Sequence, residues 1–355
     1  MENSAVQAEK KPFITIGIAS YNYAEYLPKA FEAIRRQKFT DYEILYCDDG
    51  STDDSLAVIR GLIADHPEMQ IRLVAGKNGG IMTNKNRILE NARGEYLMIC
   101  DADDWMDDNC LQVLGETARR TGADRVVSSA KEVDDDGRVV NTFPISDPPS
   151  KWAYFVHHGV LYRRSVLEEH HIRFSENCYP DDFYLAEWFN VYAKKTVFCK
   201  EQVYNRLVHA SSTSAASMWH PESAWHCIPV LDNMLEHASR LLPLIEEEKD
   251  RKELELVAIT RYYDIIYNLR VADYKTMMKT YKIIRQKMRH YFPGYLKSYY
   301  VTHIGTAPVS AARRPLLLIC LWSEKLHLMW LALTGYWCLT HLGVAQSVLG
   351  VRMGK

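Results

Sequence analysis

The chain has 355 residues, 47% apolar and 25% charged, with a formal net charge of −2. These are the proportions of an ordinary globular protein, long enough to bury a core without disulfide staples, and they exclude a disordered chain or a small cystine scaffold. Its eight cysteines are scattered, with no CxxC pair and no Cys/His spacing suited to zinc, so they are expected to be reduced, buried thiols.

The leading residues 1–11 are polar, carry no apolar run, and are expected to form a flexible leader rather than a secretory signal. Phe13 to Ala19 is then a short β-rich apolar run, expected as a buried strand. Tyr26, Leu27, Ala30, Phe31 and Ile34 follow at helical spacing. Glu43 to Cys47 reads as a second strand, and a helix from about Asp53 follows, with Asp53 read as its cap. Ile71 to Val74 is a third strand, Ile81 to Ala92 a helix, and Glu95 to Cys100 a fourth strand. A helix over about Asp107 to Thr121, capped by Asp107 or Asp108, leads to a fifth strand, Arg125 to Ser128.

Such alternation predicts an α/β fold: a mostly parallel, Rossmann-like sheet flanked by helices. Ligands in such sheets bind beyond the carboxyl ends of the strands. Three polar motifs stand there: Ser20-Tyr21-Asn22, Asp48-Asp49-Gly50-Ser51, and Asp101-Ala102-Asp103-Asp104. Neither a GxGxxG fingerprint nor a GxxxxGK[ST] phosphate loop occurs, which argues against a nicotinamide dehydrogenase and a P-loop nucleotidase. A DxD at a strand end suits a hard divalent cation, Mg²⁺ or Mn²⁺, bridging a diphosphate. Asp48 or Asp49 can accept hydrogen bonds from a base or ribose, and Tyr21 can stack on a base.

Lys131 to Lys151 is turn-rich and reads as a hairpin and loop, with Asp134 to Asp136 a solvated turn. Trp152, Tyr154, His157 and His158 suit either sugar stacking or core packing. From Ser223 the pattern turns helical. Leu244 to Leu269 is expected as one long helix. Tyr274 to His290 is amphipathic, with Lys275, Lys279, Lys282 and Arg289 on one side and Met278, Tyr281, Ile284 and Met288 on another.

Charge is unevenly shared. From Tyr274 onward twelve Lys/Arg accompany one acid, Glu324, so the preceding body holds 31 basic and 44 acidic residues. Leu316 to Trp322 and the almost uncharged stretch Leu326 to Ala345 leave three readings open: an interfacial anchor, a spanning helix, or a helical subdomain or oligomer interface. The apolar neighbourhood favours a membrane surface over nucleic acid as partner of the basic region 274–345.

The ordered blocks resemble family 2 glycosyltransferases of the GT-A fold. They include Ser20 to Leu27, Tyr42 to Asp53, Asn78 to Ile81, Ala92 to Leu97 and Asp101 to Asp104. Later blocks are Leu161 to Ser165, Tyr179 to Phe183 and Tyr204 to His209. The resemblance runs from about Phe13 to Ser214. It implies a catalytic domain over 12–222, with a nucleotide-sugar half at 12–130 and an acceptor half at 131–222, and a basic helical region over 223–355. It further implies that Ser20, Tyr21, Asn22, Asp48 and Asp49 hold the nucleoside. Asp101, Lys85 and Arg206 would meet the ribose or diphosphate, and Asp103 and His209 the metal. Asp182, paired with Asp181 where the family commonly has Glu, would be the general base. The implied reaction is inverting transfer of one sugar from a nucleotide-sugar, UDP-linked by default, to a glycan or lipid-linked glycan. The processive synthases of the family carry a Gln-x-x-Arg-Trp block and several membrane helices, and neither is found here.

Overall fold

The computed structural model describes residues 11–143, 145, 149–152, 156–175, 181–209, 227–269, 272–309 and 314–341. At positions 181, 182, 227, 267, 268, 340 and 341 it describes the backbone alone. The expected leader, the block at Tyr179 and Pro180, Tyr154 and the stretch beyond His341 therefore lie outside the described residues. The chain divides into two compact units. The first comprises Met1–Ile145, Val156–Glu176 and Trp188–Val208; the second comprises Ser146–Phe155, Asn177–Glu187 and His209–Lys355.

The first unit begins with the predicted alternation: β1 (Ile14–Ser20), α1 (Leu27–Arg35), β2 (Tyr42–Asp48), α2 (Ser55–Asp65), β3 (Ile71–Ala75), α3 (Ile81–Asn91) and β4 (Tyr96–Asp101). Every residue of β1 is buried, as is β2 after its first residue, because helices cover both sheet faces. β1 runs parallel to both β2 and β4, and β2 parallel to β3. Packing of α3 on β1 depends on Gly17, where an added Cβ would lie 2.1 Å from Cγ2 of Ile88. Overpacking of this kind costs about 1–3 kcal/mol.

Next come β5 (Trp105–Met106), α4 (Cys110–Thr121), β6 (Arg125–Val133), β7 (Val139–Phe143), β8 (Val160–Arg163), α5 (Arg164–Glu169), α6 (Asp181–Tyr192) and β9 (Thr196–Leu207). The sheet order is β3-β2-β1-β4-β8-β6-β9-β5, with β7 paired to β6. Its second half is mixed, since β8 lies antiparallel to both β4 and β6, while β9 is parallel to β6. The fifth predicted strand is thus longer than expected and enters the predicted hairpin with β7. Asp134 accepts the Arg138 N–H and Asp136 pairs with the Arg138 guanidinium, which makes that hairpin tip the solvated turn expected.

Neither cap assignment falls on the residue expected. The N-cap of α2 is Asp54, and Asp53 before it accepts the Ser55 N–H. Asp107 and Asp108 do not cap α4, whose N-cap is Asn109. Asp107 instead accepts from Lys131 and Asn205, and Asp108 pairs with Arg36.

In the second unit, α7 (Cys227–Leu241), α8 (Glu248–Asn268), α9 (Tyr274–Tyr291) and α10 (Tyr299–Thr302) precede α11 (Arg314–Lys325) and α12 (Met329–His341). The long helix starts at Glu248 rather than Leu244, because Pro243 sits in a separate 3₁₀ turn. The apolar face of α9 begins at Met277, not Met278, and continues through Tyr281, Ile284 and Met288. The uncharged stretch expected from Leu326 is broken between α11 and α12, where His327 takes a left-handed φ of 59°. Among the described residues no helix is long and apolar enough to cross a membrane.

Candidate active site

The carboxyl ends of β1, β2 and β4 share one rim of the first unit. There the loops after β1 and β2 are stitched together. Asn22, at a left-handed φ of 59° that Asn tolerates, accepts the Thr52 N–H at 2.8 Å and donates its own N–H to Ser51 Oγ. Asp53 Oδ2 accepts the Ala24 N–H, and Ser55 Oγ that of Tyr23.

Asp48 and Asp49, expected to face a nucleoside, are buried and hold the protein's own donors. Asp48 Oδ1 accepts the Gly50 and Ser51 N–H groups, and its Oδ2 accepts Ser51 Oγ at 2.5 Å. Gly50 makes this tight turn with φ of 75°. Asp49 accepts the Gly79 and Gly80 N–H groups at 2.9 and 2.8 Å and pairs with Arg87 at 2.6 Å. Ser20 is buried at the end of β1, and Tyr21 beside it is exposed, open to stacking. Asn84 on α3 donates to the carbonyls of Cys47 and Ser20, fixing this helix to both strand ends.

Around the DxD the charges are arranged more tightly. Lys85 on α3 is buried, its Nζ 3.4 Å from Asp101 Oδ1 and 3.4 Å from His157 Nε2. His158 Nε2 lies 3.4 Å from Asp101 Oδ2 and 3.6 Å from Asp104 Oδ2. Burial opposes ionisation of Asp101, yet Lys85, His157 and His158 hold its carboxyl well below the usual range. Burial, with repulsion from Asp103 and Asp101, pushes Asp104 well above it. Asp104 Oδ1 also accepts the Leu207 N–H at 2.9 Å. The site therefore separates a firmly ionised carboxylate from a readily protonated one, a division of the kind that functional sites produce. The Tyr23 phenol is raised by burial and by Asp103, Asp101 and Asp104, so it too faces this cluster.

A divalent cation fits this donor set. Ligand atoms of Asp101, His157 and His158 all lie within 4.8 Å of one another. A mixture of carboxylate and imidazole suits Mn²⁺ better than Mg²⁺, which prefers oxygen alone. The Lys85 ammonium, 3.4 Å from Asp101 and from His157, already supplies positive charge beside this group.

The remaining expected residues are dispersed in the chain. Arg206 on β9 is ion-paired with Glu132 on the adjoining β6. His209 belongs to the second unit. Asp181 and Asp182 open α6, and their side chains lie outside the described residues. His157 and His158, anticipated as stacking or core groups, are buried as the core reading has it, and they are also the partners of Asp101 across 56 and 57 positions. A histidine pair preceding a short apolar strand was their one local signal. Tyr23 and Arg87 carried no such signal.

A parallel sheet ending in an acidic rim, continued by a mixed half, is the GT-A class of fold. Solved structures share it: S. aureus TarS, residues 1–349, in complex with UDP-GlcNAc, has a TM-score of 0.57 at 17% identity over 81% of this chain and 93% of that one. The mannosyltransferase PcManGT from Pyrobaculum calidifontis, in complex with GDP-Man and Mn²⁺, has a TM-score of 0.55 at 14% identity over 94% and 88%. Residues 15–170 match the model of the family described as glycosyl transferase family 2. The chain is also similar to chondroitin synthase of Escherichia coli, 29% identical over 214 residues, or 58% of this chain. It spans only 30% of the length of that relative.

Proposed function

We propose that this chain is an inverting glycosyltransferase that adds one sugar per encounter from a nucleotide-sugar, with a UDP-sugar the first choice, to a glycan or lipid-linked glycan. The observation that carries this reading is the ionised Asp101, held by Lys85 and two histidines at the carboxyl rim, inside the segment matched by the family model. The similarity to a chondroitin synthase and to a structure in complex with UDP-GlcNAc supports the choice of donor.

In this reading Tyr21 stacks on the base, and the stitched loops after β1 and β2 shape its pocket. Lys85 and Asp101 orient the diphosphate and ribose. A divalent ion, Mn²⁺ or Mg²⁺, held by Asp103 with help from His209, would offset charge on the leaving diphosphate. Asp182 takes the proton of the acceptor hydroxyl as its oxygen attacks the anomeric carbon, and Asp181 supports it. One displacement inverts the anomeric centre.

A donor-hydrolysis panel with Mn²⁺ and Mg²⁺ tests the assignment. Asp103→Ala is expected to lose metal-stimulated release of nucleoside diphosphate. Asp182→Asn is expected to abolish transfer and retain donor binding. No turnover with any donor, despite donor binding, would favour a non-catalytic nucleotide-sugar module with the same fold.

A further inference from the structure

We propose that the outward face of α11 and α12 docks on an anionic lipid bilayer surface, lying in its interfacial plane. On α11, Leu316, Ile319 and Trp322 recur three apart and are exposed, opposite buried Leu317, Leu321 and Glu324. Leu326, Trp330 and Leu331 extend the exposed apolar set across the break, with Trp322 and Trp330 exposed to 58% and 51%. Both helices pair a buried side with an apolar outer side, and over the described residues both are too short to span a bilayer. Tryptophan and leucine on such a surface are the groups that seat helices at the headgroup boundary.

Charge selects the partner. Glu324, the sole acid after Asp273, is 1% exposed. Its carboxylate accepts from Arg285 at 2.7 Å and from Tyr262 at 3.1 Å. Within this region the sequence holds no other carboxylate side chain, whereas Lys275, Lys282, Arg289 and Lys325 are exposed. Each cation near an anionic surface adds to attraction, and salt weakens it. The inference stands apart from the proposed chemistry, because none of these residues belongs to the acidic rim.

Flotation of the full chain with phosphatidylcholine vesicles, with and without phosphatidylglycerol, tests it. The chain should float with the anionic vesicles and be released by high salt. Because both side chains are exposed, Trp322→Ser/Trp330→Ser should fold as wild type and hydrolyse donor at the wild-type rate. It should partition at least about tenfold less onto anionic vesicles. Equal flotation by the double variant would overturn the proposal, as would no flotation of the wild type. So would a wild-type dimer that the double variant splits in light scattering, which would assign the face to a second copy. Vesicle binding gained only on deleting residues 342–355 would assign it to the chain's own tail.

Discussion

Lys85 lies buried between a carboxylate and an imidazole, and its contact with the carboxylate depends on its charge. Lys85→Met keeps the length of the side chain and removes the charge. Loss of a preorganised charge of this kind lowers turnover by about 100-fold. The expected result is a fall of that order in kcat/KM for donor hydrolysis, with an unchanged circular dichroism spectrum; an unaltered kcat/KM would remove Lys85 from the site. At this scale the sequence was informative where a residue's role was local. The DxD followed a strand, and Gly50 stood where the chain turns sharply. It was silent where a role was set by distant partners. Asp49 meets Gly79, Gly80 and Arg87 only after α3 has folded back, and His157 meets Asp101 through the insertion of β8 beside β4.

Among elements, α6 carries the proposed base, and its later turn is rooted by a buried ion pair. Glu187 on α6 binds Arg261 on α8, and the same guanidinium lies over the Phe183 ring at 3.8 Å. Breaking a buried pair leaves one charge uncompensated and costs about 3–5 kcal/mol, whereas replacing both partners by apolar groups can be neutral. Arg261→Met alone should therefore lower the unfolding midpoint strongly, and Glu187→Met/Arg261→Met should recover most of it in denaturant titrations. Equal losses in single and double variants would mean that the pair does not couple the two helices. The elements themselves were most legible where apolar runs were continuous, as in β1, β2 and β4. Two-residue β5 and four-residue β8 were not, since strands so short have no periodicity and exist only through their neighbours.

For the molecule as a whole, one source of acid sensitivity is His237 in the second unit. Its ring stacks on Tyr184 at 4.1 Å and its Nε2 lies 3.7 Å from Glu187. Burial first, then Arg261 and Arg240, lower its pKa from 6.5 to about 3. The folded state thus resists a proton that the unfolded chain accepts. The stability from a neutral His237 is complete above about 6.5 and is lost as pH falls toward about 3, by at most about 1.4 kcal/mol per pH unit. Glu187 acts with the opposite sign, because burial raises its pKa and favours the proton in the folded state. His237→Leu isolates the histidine: its stability relative to wild type should improve steadily as pH falls below about 6.5, read from urea midpoints. A constant difference would exclude the histidine as the source. The parallel half of the sheet was legible because an alternating pattern admits few topologies, whereas the GT-A fold as a whole was implied by the family resemblance. The division into units was not, because it follows contacts rather than composition.

That division has a practical corollary. The helical unit is not a continuous tail: it claims Ser146–Phe155 and Asn177–Glu187 from within the span that otherwise builds the sheet. Grafting residues 209–355 from a relative would bring a foreign counterpart to Glu187 and to Ser150, whose hydroxyl donates to Glu253. A working chimaera needs the three segments of this unit exchanged together, so this part of the fold should tolerate point substitution better than shuffling.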